Sequence, residues 1–367
     1  MKTKLEYLSV LDDLDTRQQH KVKHKLSEII GISLIAIIAN AEDCVDIENF
    51  CEAHEEYLRK YFELANGIPS HDTIGRAFAM VSPEYLEELQ NRFNELLNKD
   101  EGNKIRKILA IDGKTQRGNS KQKANHIVSA VDQSGFCLGQ ERTSEKSNEI
   151  TAIPELLEKL NIKGNIVTMD AMGTQKTIAK KIRKKKADYV LALKKNHGTL
   201  YEEIETYFKD KELLSACDYN YTKEKARGGI ETREYWQTDD INWVSGKKEW
   251  HGLTTIIMTR NTSTKNGQTT AETRYFISSL SPDIYEITRA VRSHWMVESY
   301  HWHLDVTFRE DYDHTLNKHI AYNLNIMRKL ALNTLKLIDV GRKSSLKKKR
   351  MIIGWNPLKY FDSILSV

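Results

Sequence analysis

The sequence predicts an α/β protein in which helices flank a mixed β-sheet, with an N-terminal helical domain and a β-rich insertion. Three observations support this fold class. Residues 1–98 carry apolar side chains at helical spacing and almost no strand signal. Short apolar runs and amphipathic segments then alternate, and strand-like segments with turn clusters follow. We therefore expect a helical domain at 1–98, a sheet domain at 99–200 that resumes at 272–367, and an insertion at 201–271.

The composition is that of a soluble globular protein, with 40% hydrophobic and 29% charged residues. No apolar run approaches the roughly eighteen residues that a membrane span needs. The charged N-terminus lacks the apolar stretch of a signal peptide. The four cysteines show no Cys-x-x-Cys spacing, which argues against a zinc site and against a disulfide framework. A cytoplasmic protein without a membrane partner is expected.

The formal net charge is +5, and the basic residues are clustered. Dense runs of lysine and arginine occur at 180–186, 194–195 and 347–350. Such clusters bind phosphate backbones and attract polyanions. A solvated helix face would explain any single run equally well. Three runs with few intervening acids favour a nucleic-acid partner.

The helical domain is expected to contain four helices. Residues 26–40 are apolar nearly all round, which is typical of a helix buried inside a bundle. A glycine and a proline near residue 68 end the second helical segment, and either Ser70 or Asp72 can cap the next helix. The predicted helices are 26–40, 46–66, 73–80 and 83–97, and a polar linker follows at 98–103.

The sheet domain is expected to begin with a three-stranded meander, because Gln133–Gly135 makes a tight connection between two strand-like segments. Helices and single strands then alternate. The predicted strands are 105–112, 126–132, 136–140, 165–170 and 188–193, with helices at 149–160 and 174–186. A meander followed by β-α-β-α-β is the order of an RNase H-like sheet.

The insertion is expected to be built from strands separated by turn clusters. The segment 274–279 is either its last strand or a return to the sheet domain. A long helix then follows, with further helices to about residue 338. The predicted elements are a helix at 201–208, strands at 231–237 and 253–259, turns at 227–229 and 264–268, and the long helix at 286–303.

Two aspartates end predicted strands of this sheet. Asp112 follows the apolar run 108–111, and Asp170 ends the strand at 165–170. Neighbouring strands lie about 4.8 Å apart, so carboxylates at matching ends can share a metal ion. Glu298 on the long helix is the expected third acid. Taken alone, Asp112 would also suit a turn before a glycine, and Asp305 and Glu310 are spare acids for the third position.

Three carboxylates around two Mg²⁺ ions form a site for phosphoryl transfer, in which one ion activates the attacking oxygen and the other stabilises the leaving oxygen. Oxygen ligands of this kind suit magnesium. A transition-metal alternative rests on Glu298 and His301, whose spacing matches a di-iron carboxylate helix. That site needs a second Glu-x-x-His on another helix, for which the sequence offers poor candidates.

Four motifs are spread along the chain, at Ile111–Lys114 with Arg117 and Gly118, at Met169–Gln175, at Ala187–Asn196 and at Arg292–Asp311. They resemble the motifs of DDE insertion-sequence transposases, most closely those of the H-repeat-associated group within the insertion sequence 4 superfamily. The segment 69–76 also resembles the helical domain associated with that group. The resemblance spans nearly the whole chain, and the motifs occur in the expected order.

This resemblance implies a DNA transposase that cleaves at element ends and transfers strands to target DNA. It implies an RNase H-like catalytic domain in which Asp112, Asp170 and Glu298 form the catalytic, metal-binding triad. Two Mg²⁺ ions are implied as cofactors, and Mn²⁺ is expected to substitute for them. The implied partners are double-stranded DNA, as terminal inverted repeats and as target, and a second copy of the chain. The implied location is the bacterial cytoplasm, at the nucleoid, and the helical domain is expected to bind DNA.

Seven further residues are expected to contact DNA. The cations near strand ends would bind phosphates. Trp295 would stack on an unpaired base, although such aromatics also occur in protein cores. The residues are Lys114, Arg117, Lys194, Lys195, Arg292, His294 and Trp295.

The chain departs from the wider superfamily around the glutamate. That superfamily carries the signature Tyr-x2-Arg-x3-Glu-x6-Lys, and here Val291, His294 and Asp305 occupy the positions of the tyrosine, arginine and lysine. Asn196 and His197 stand where the H-repeat group often has Asn-Gln. These differences bear on the expected DNA contacts and leave all three carboxylates in place.

Two other functions are compatible with the same motifs. One is a degenerate or domesticated transposase that only binds DNA, which the retention of all three acids disfavours. The other is a stand-alone RNase H-like nuclease, which would have little use for a large helical domain and a β-rich insertion.

Overall fold

The computed structural model of the chain describes residues 8, 11, 15, 17, 20, 22–98, 106–118, 124–143, 149–226 and 229–365. Most of the predicted linker at 98–103, the start of the strand predicted at 105–112 and the turn at 227–228 lie outside these residues. Within them, no helix is long and apolar enough to cross a membrane.

A nine-stranded mixed sheet forms the centre of the described chain. Its strands are β1 (Ile108–Thr115), β2 (His126–Asp132), β3 (Cys137–Thr143), β4 (Ile166–Met169), β5 (Asp188–Leu193), β6 (Asp218–Ala226), β7 (Gly229–Thr238), β8 (Thr255–Lys265) and β9 (Gln268–Ser278). Their spatial order is β3-β2-β1-β4-β5-β9-β8-β7-β6. The strands β1, β2 and β3 form the antiparallel meander, and β4 and β5 run parallel to β1. The predicted fold class is confirmed.

The insertion extends the sheet instead of forming a separate layer. Its last strand, β9, pairs antiparallel with β5, and Val190 faces Ser278 in the register. The remaining insertion strands continue outward from β9 as an antiparallel array. The segment 274–279 was predicted to be either the last strand of the insertion or a return to the sheet domain. It is both, because β9 ends the insertion and pairs with β5 of the sheet domain. The edge strand β6 is polar throughout, which is why its sequence gave no strand signal.

Helices cover both faces of the sheet. They are α1 (Leu26–Ile38), α2 (Cys44–Ala53), α3 (Glu55–Leu58), α4 (His71–Met80), α5 (Pro83–Asn98), α6 (Glu149–Lys159), α7 (Lys176–Lys184), α8 (Gly198–Lys209), α9 (Lys211–Ser215), α10 (Ile284–Val306), α11 (Lys318–Leu337), α12 (Leu346–Trp355) and α13 (Phe361–Leu365). The single helix predicted at 46–66 is interrupted at His54, whose φ of −124° is not helical. Ser70 caps α4 by accepting a hydrogen bond from the Thr73 N–H, as the sequence suggested.

One apolar core joins the helical domain to the sheet. The helix α1 is buried on nearly every side, as predicted, and packs against α11. The same core contains Ala110 of β1, Ile127 of β2 and Leu304 of α10. The opposite face of the sheet packs against α6, α7 and α8. The helical domain and the sheet therefore share one apolar core.

Arg350 anchors the C-terminal helices to this core. Its side chain is 1% exposed and donates hydrogen bonds to the carbonyl oxygens of Ile37, Ala41 and Thr307. The preceding Lys349 donates to the carbonyls of α11 near its end. Two of the four residues in the basic run at 347–350, Lys349 and Arg350, therefore make packing contacts. The run as a whole is not a fully solvated patch for binding phosphates.

Replacing Arg350 by methionine should lower the free energy of unfolding by about 3 kcal/mol, because three buried carbonyls would lose their donor. Urea denaturation of the purified protein measures this change. The matched variant Lys347→Met alters an exposed residue of the same run and should stay within about 0.5 kcal/mol of the unmodified protein. Equal stability of the two variants would contradict the role of Arg350.

Candidate active site

A cavity of about 380 Å³ brings the three predicted acids together. Asp112 lies on β1, Asp170 directly follows β4, and Glu298 lies on α10. The parallel pairing of β1 with β4 places Ile111 beside Met169, so the two aspartates follow from adjacent strands. All three side chains line the cavity. Sheet register and one crossing helix thus assemble a carboxylate cluster from residues that are far apart in sequence.

The backbone holds Asp170 in a defined orientation. Its Oδ1 accepts hydrogen bonds from the N–H groups of Met172, at 3.0 Å, and Gly173, at 3.2 Å. The hydroxyl of Thr174 donates to the Asp170 carbonyl oxygen and to that of Ala192. A turn after β4 therefore fixes this carboxylate without using a cation from the protein.

Negative charge accumulates in the cavity. Burial and the neighbouring Asp170 raise the pKa of Asp112 to about 7, and Glu149 and Glu298 add to this effect. Burial also raises the pKa of Glu298, against the opposing influence of Arg274. Carboxylates that oppose one another's ionisation are the donor set that a divalent cation neutralises.

The donor chemistry therefore fits Mg²⁺ or Mn²⁺, both of which prefer oxygen ligands. Among the described residues, no three His, Cys, Asp or Glu side chains are arranged tightly enough to enclose a metal ion. This holds for Glu298 and His301, as the di-iron alternative would need, and equally for Asp112, Asp170 and Glu298, which line one cavity without closing around an ion.

Asp305 and Glu310, the alternative acids for the third position, form ion pairs with Lys114. The ammonium group of Lys114 lies 2.7 Å from Asp305 Oδ1 and 2.7 Å from Glu310 Oε2, and 3.5 Å from Asp311. Burial alone would raise the pKa of Glu310, but Lys114 and Arg328 lower it to about 2. Lys114 is 10% exposed and does not line the cavity. Its contact with a DNA phosphate stays a prediction, and three carboxylates would compete for it.

Four of the predicted DNA contacts line the cavity, namely Lys194, Arg292, His294 and Trp295. Trp295 is 44% exposed, so it is not the core residue that its alternative interpretation required. The guanidinium of Arg274 lies 5.7 Å from its ring centroid. Arg292 is held 3.2 Å from Glu224 of the insertion. Exposed cations and an exposed indole therefore surround the carboxylates.

The other predicted contacts lie elsewhere. Arg117 is exposed beyond β1, where its backbone N–H donates to Asp311 Oδ1 at 3.1 Å. Lys195 is exposed in the short turn after β5.

His294 lines the cavity but pairs with Thr168 Oγ1 at 3.1 Å, and burial lowers its pKa to about 4. An uncharged His294 cannot replace the arginine of the superfamily signature as a cation.

Two arginines of the insertion were missed by the sequence reasoning. Arg233 of β7 and Arg274 of β9 line the cavity together with the acids. Both are paired with glutamates of the same strands, Arg233 with Glu231 and Arg274 with Glu272 at 2.8 Å. Nothing in their local sequence signals this position, because it follows from the pairing of β9 with β5.

A buried pair lies directly behind Asp112. Glu149 Oε1 and His126 Nε2 are 2.5 Å apart, and His126 Nδ1 lies 2.8 Å from Thr115 Oγ1. A Cβ atom on Gly113 would lie 2.3 Å from Glu149 Oε1, so only glycine fits beside this pair. The glycine of the Ile-Asp-Gly-Lys motif is thereby explained by packing, not by a turn.

The comparisons with known proteins bear on the family of the chain. The family described as "Transposase DDE domain" matches residues 103–334, and the one described as "DDE_Tnp_1-associated" matches residues 5–94. "Putative transposase YncI" of Escherichia coli O157:H7 is 38% identical over 99% of this chain and 94% of its own length. "H repeat-associated putative transposase YhhI" of E. coli K12 is 36% identical over 96% of both chains.

A shorter relative, "Inactive transposase YbfQ" of E. coli K12, is 45% identical over 21% of this chain and 88% of its own length. The longer matches include both the helical domain and the catalytic sheet. They confirm the resemblance that the four sequence motifs indicated. The chain therefore belongs to the DDE insertion-sequence transposases of the H repeat-associated type.

Proposed function

We propose that this transposase is catalytically competent, and that it cleaves DNA at element ends and joins the resulting 3′-hydroxyls to target DNA. Asp112, Asp170 and Glu298 are its catalytic, metal-binding residues. The observation that supports this proposal is their meeting in one cavity from three separate elements. Burial and mutual repulsion both raise the pKa of Asp112, so ionising all three acids is costly unless a cation neutralises them.

Membership of this family implies a divalent metal ion in general, and we propose Mg²⁺, with Mn²⁺ as a substitute. The three carboxylates would hold two ions, which supply an activated attacking oxygen and a stabilised leaving oxygen. The fixed orientation of Asp170 and the closed packing behind Asp112 keep both ligands in place before DNA arrives. Lys194, Arg292 and Trp295 would bind the DNA strand beside the acids.

The proposed partners are double-stranded DNA and a second copy of the chain. Arg233 and Arg274 of the insertion and Arg292 of α10 line the cavity and supply positive charge near the acids. Arg117 and Lys195 are exposed outside the cavity lining and remain proposed phosphate contacts. Terminal inverted repeats and target DNA are the expected substrates. A homodimer follows from the need to hold two element ends at once.

A DNA-binding protein without catalysis is the second candidate, since one relative is named an inactive transposase. The intact carboxylate cluster argues against it. The stand-alone nuclease is disfavoured because the helical domain and the insertion share the core and the sheet of the catalytic domain.

The substitutions Asp112→Asn, Asp170→Asn and Glu298→Gln should each reduce cleavage and joining about a thousandfold, equivalent to about 4 kcal/mol of transition-state stabilisation. The measurement is nicking and strand transfer of an oligonucleotide duplex carrying an element end, in the presence of Mg²⁺. Asp239→Asn removes an exposed acid distant from the cavity lining and serves as the control. Full activity in any of the three variants would remove that residue from the triad.

The Mg²⁺ requirement should depend on pH, because a metal ion displaces the proton from Asp112. With a pKa of about 7 in the metal-free protein, Asp112 is protonated at pH 6 and ionised at pH 8. The Mg²⁺ concentration for half-maximal nicking should therefore rise about tenfold from pH 8 to pH 6, mostly between pH 7 and pH 6, and stay nearly constant above pH 8. Metal-free DNA affinity at each pH is the control. A requirement that is identical at pH 6, 7 and 8 would contradict this role for Asp112.

A further inference from the structure

His301 lies beneath the carboxylate cluster, on the same helix as Glu298. The two residues are three positions apart on α10 and therefore share a helix face. Glu298 is exposed toward the cavity, whereas His301 is only 9% exposed and points inward. Its Nδ1 lies 3.6 Å from Asp112 Oδ2. The helix α10 thus presents Glu298 to the cavity and His301 to the base of Asp112.

The ring of His301 is buried among cations. Lys329 and Lys114 lie close by, and this environment disfavours a positive charge on the imidazole. A neutral imidazole has one N–H and one acceptor nitrogen. Among the described residues, Nε2 is buried and has no hydrogen-bond partner. The other nitrogen, Nδ1, faces Asp112. Because a carboxylate accepts hydrogen bonds, Nδ1 is the nitrogen expected to carry the hydrogen.

The other side of Asp112 is already closed by protein. Gly113 packs against the pair formed by Glu149 and His126, which leaves no space for a side chain. Across β2, Ser129 faces Asp112 in the register, and its hydroxyl accepts a hydrogen bond from the buried Lys329 Nζ at 2.6 Å. His301 therefore completes a polar layer under the aspartate.

We propose that His301 is a positioning residue: its Nδ1, 3.6 Å from Asp112 Oδ2 and so just beyond hydrogen-bond distance, closes to donate its N–H to this oxygen when a metal binds, and so fixes the direction of the carboxylate. This inference rests on the proposed function, because it assigns a further residue to the same site. Ligating carboxylates are usually hydrogen-bonded by such outer partners, and losing one typically costs about 10–100-fold in metal affinity or activity.

Three substitutions separate positioning from simple packing. Asparagine places an amide donor close to the position of Nδ1, glutamine reaches instead toward Nε2, and leucine removes both. His301→Leu and His301→Gln should weaken Mn²⁺ binding to the full-length protein about 10–100-fold, while His301→Asn should retain most of it. Titration of Mn²⁺ followed by electron paramagnetic resonance measures the free ion directly. The half-saturating Mg²⁺ concentration for nicking should shift in the same order.

The matched control is His303→Leu, because His303 is a half-buried histidine of the same helix that pairs with Thr307, away from the cavity. It should leave Mn²⁺ affinity unchanged. Equal Mn²⁺ affinity in the asparagine and glutamine variants overturns the positioning role, and this comparison holds even if the leucine variant fails to fold. So does unaltered affinity in a folded leucine variant.

The variant Asp112→Ala distinguishes this inference from the proposed function. If Asp112→Ala loses Mn²⁺ binding while His301→Leu keeps it, the metal site stands and His301 is only a packing residue. If Asp112→Ala binds Mn²⁺ as the unmodified protein does, the proposed metal site itself fails.

Discussion

Crowding of carboxylates around the end of β1 is the constraint on which the rest of the site depends. Seven acids approach this region, and the fold divides them into two sets. Glu149 is paired with His126, and Asp305, Glu310 and Asp311 surround Lys114. Among the described residues, Asp112, Asp170 and Glu298 form no ion pair with a lysine or arginine, although Arg274 lies close enough to oppose the rise in the pKa of Glu298, and all three face the cavity. Pairing engages the structural acids and leaves the remaining three available to an external charge.

The same division of the acids explains how the three cavity carboxylates stay in position before a cation neutralises their charge. Asp170 is held by backbone N–H groups, and Asp112 is enclosed by the packing against Gly113 and by His301. The arginines of the insertion approach the cavity already paired with glutamates. Binding of DNA would therefore exchange carboxylate partners for phosphates at these arginines. The insertion can supply charge to the substrate without collapsing onto the catalytic acids.

Local sequence patterns were sufficient for much of the fold and for two of the acids. Strand periodicity placed Asp112 and Asp170 at neighbouring strand ends, and the long helix offered Glu298 as the third acid, which the resemblance to transposases reinforced. Partners formed by distant pairing were beyond those patterns. The burial of Arg350, the capture of Lys114 by three acids and the approach of Arg274 depend on contacts between residues far apart in the chain. The polar edge strand β6 and the break at His54 lack a distinctive hydrophobic signature.

The shared core of α1 and α11 has a consequence for synthesis of the protein. During translation α1 leaves the ribosome early, with apolar side chains on nearly every face. Its covering helix, α11, is made only after almost three hundred further residues have been added. A nascent chain therefore carries a partly uncovered apolar helix, covered only by the neighbouring N-terminal helices, for most of its elongation, which favours chaperone binding or aggregation. On the proposed function, cleavage needs Glu298 and a core that α11 completes, so a translation product abandoned before α11 would lack a finished site.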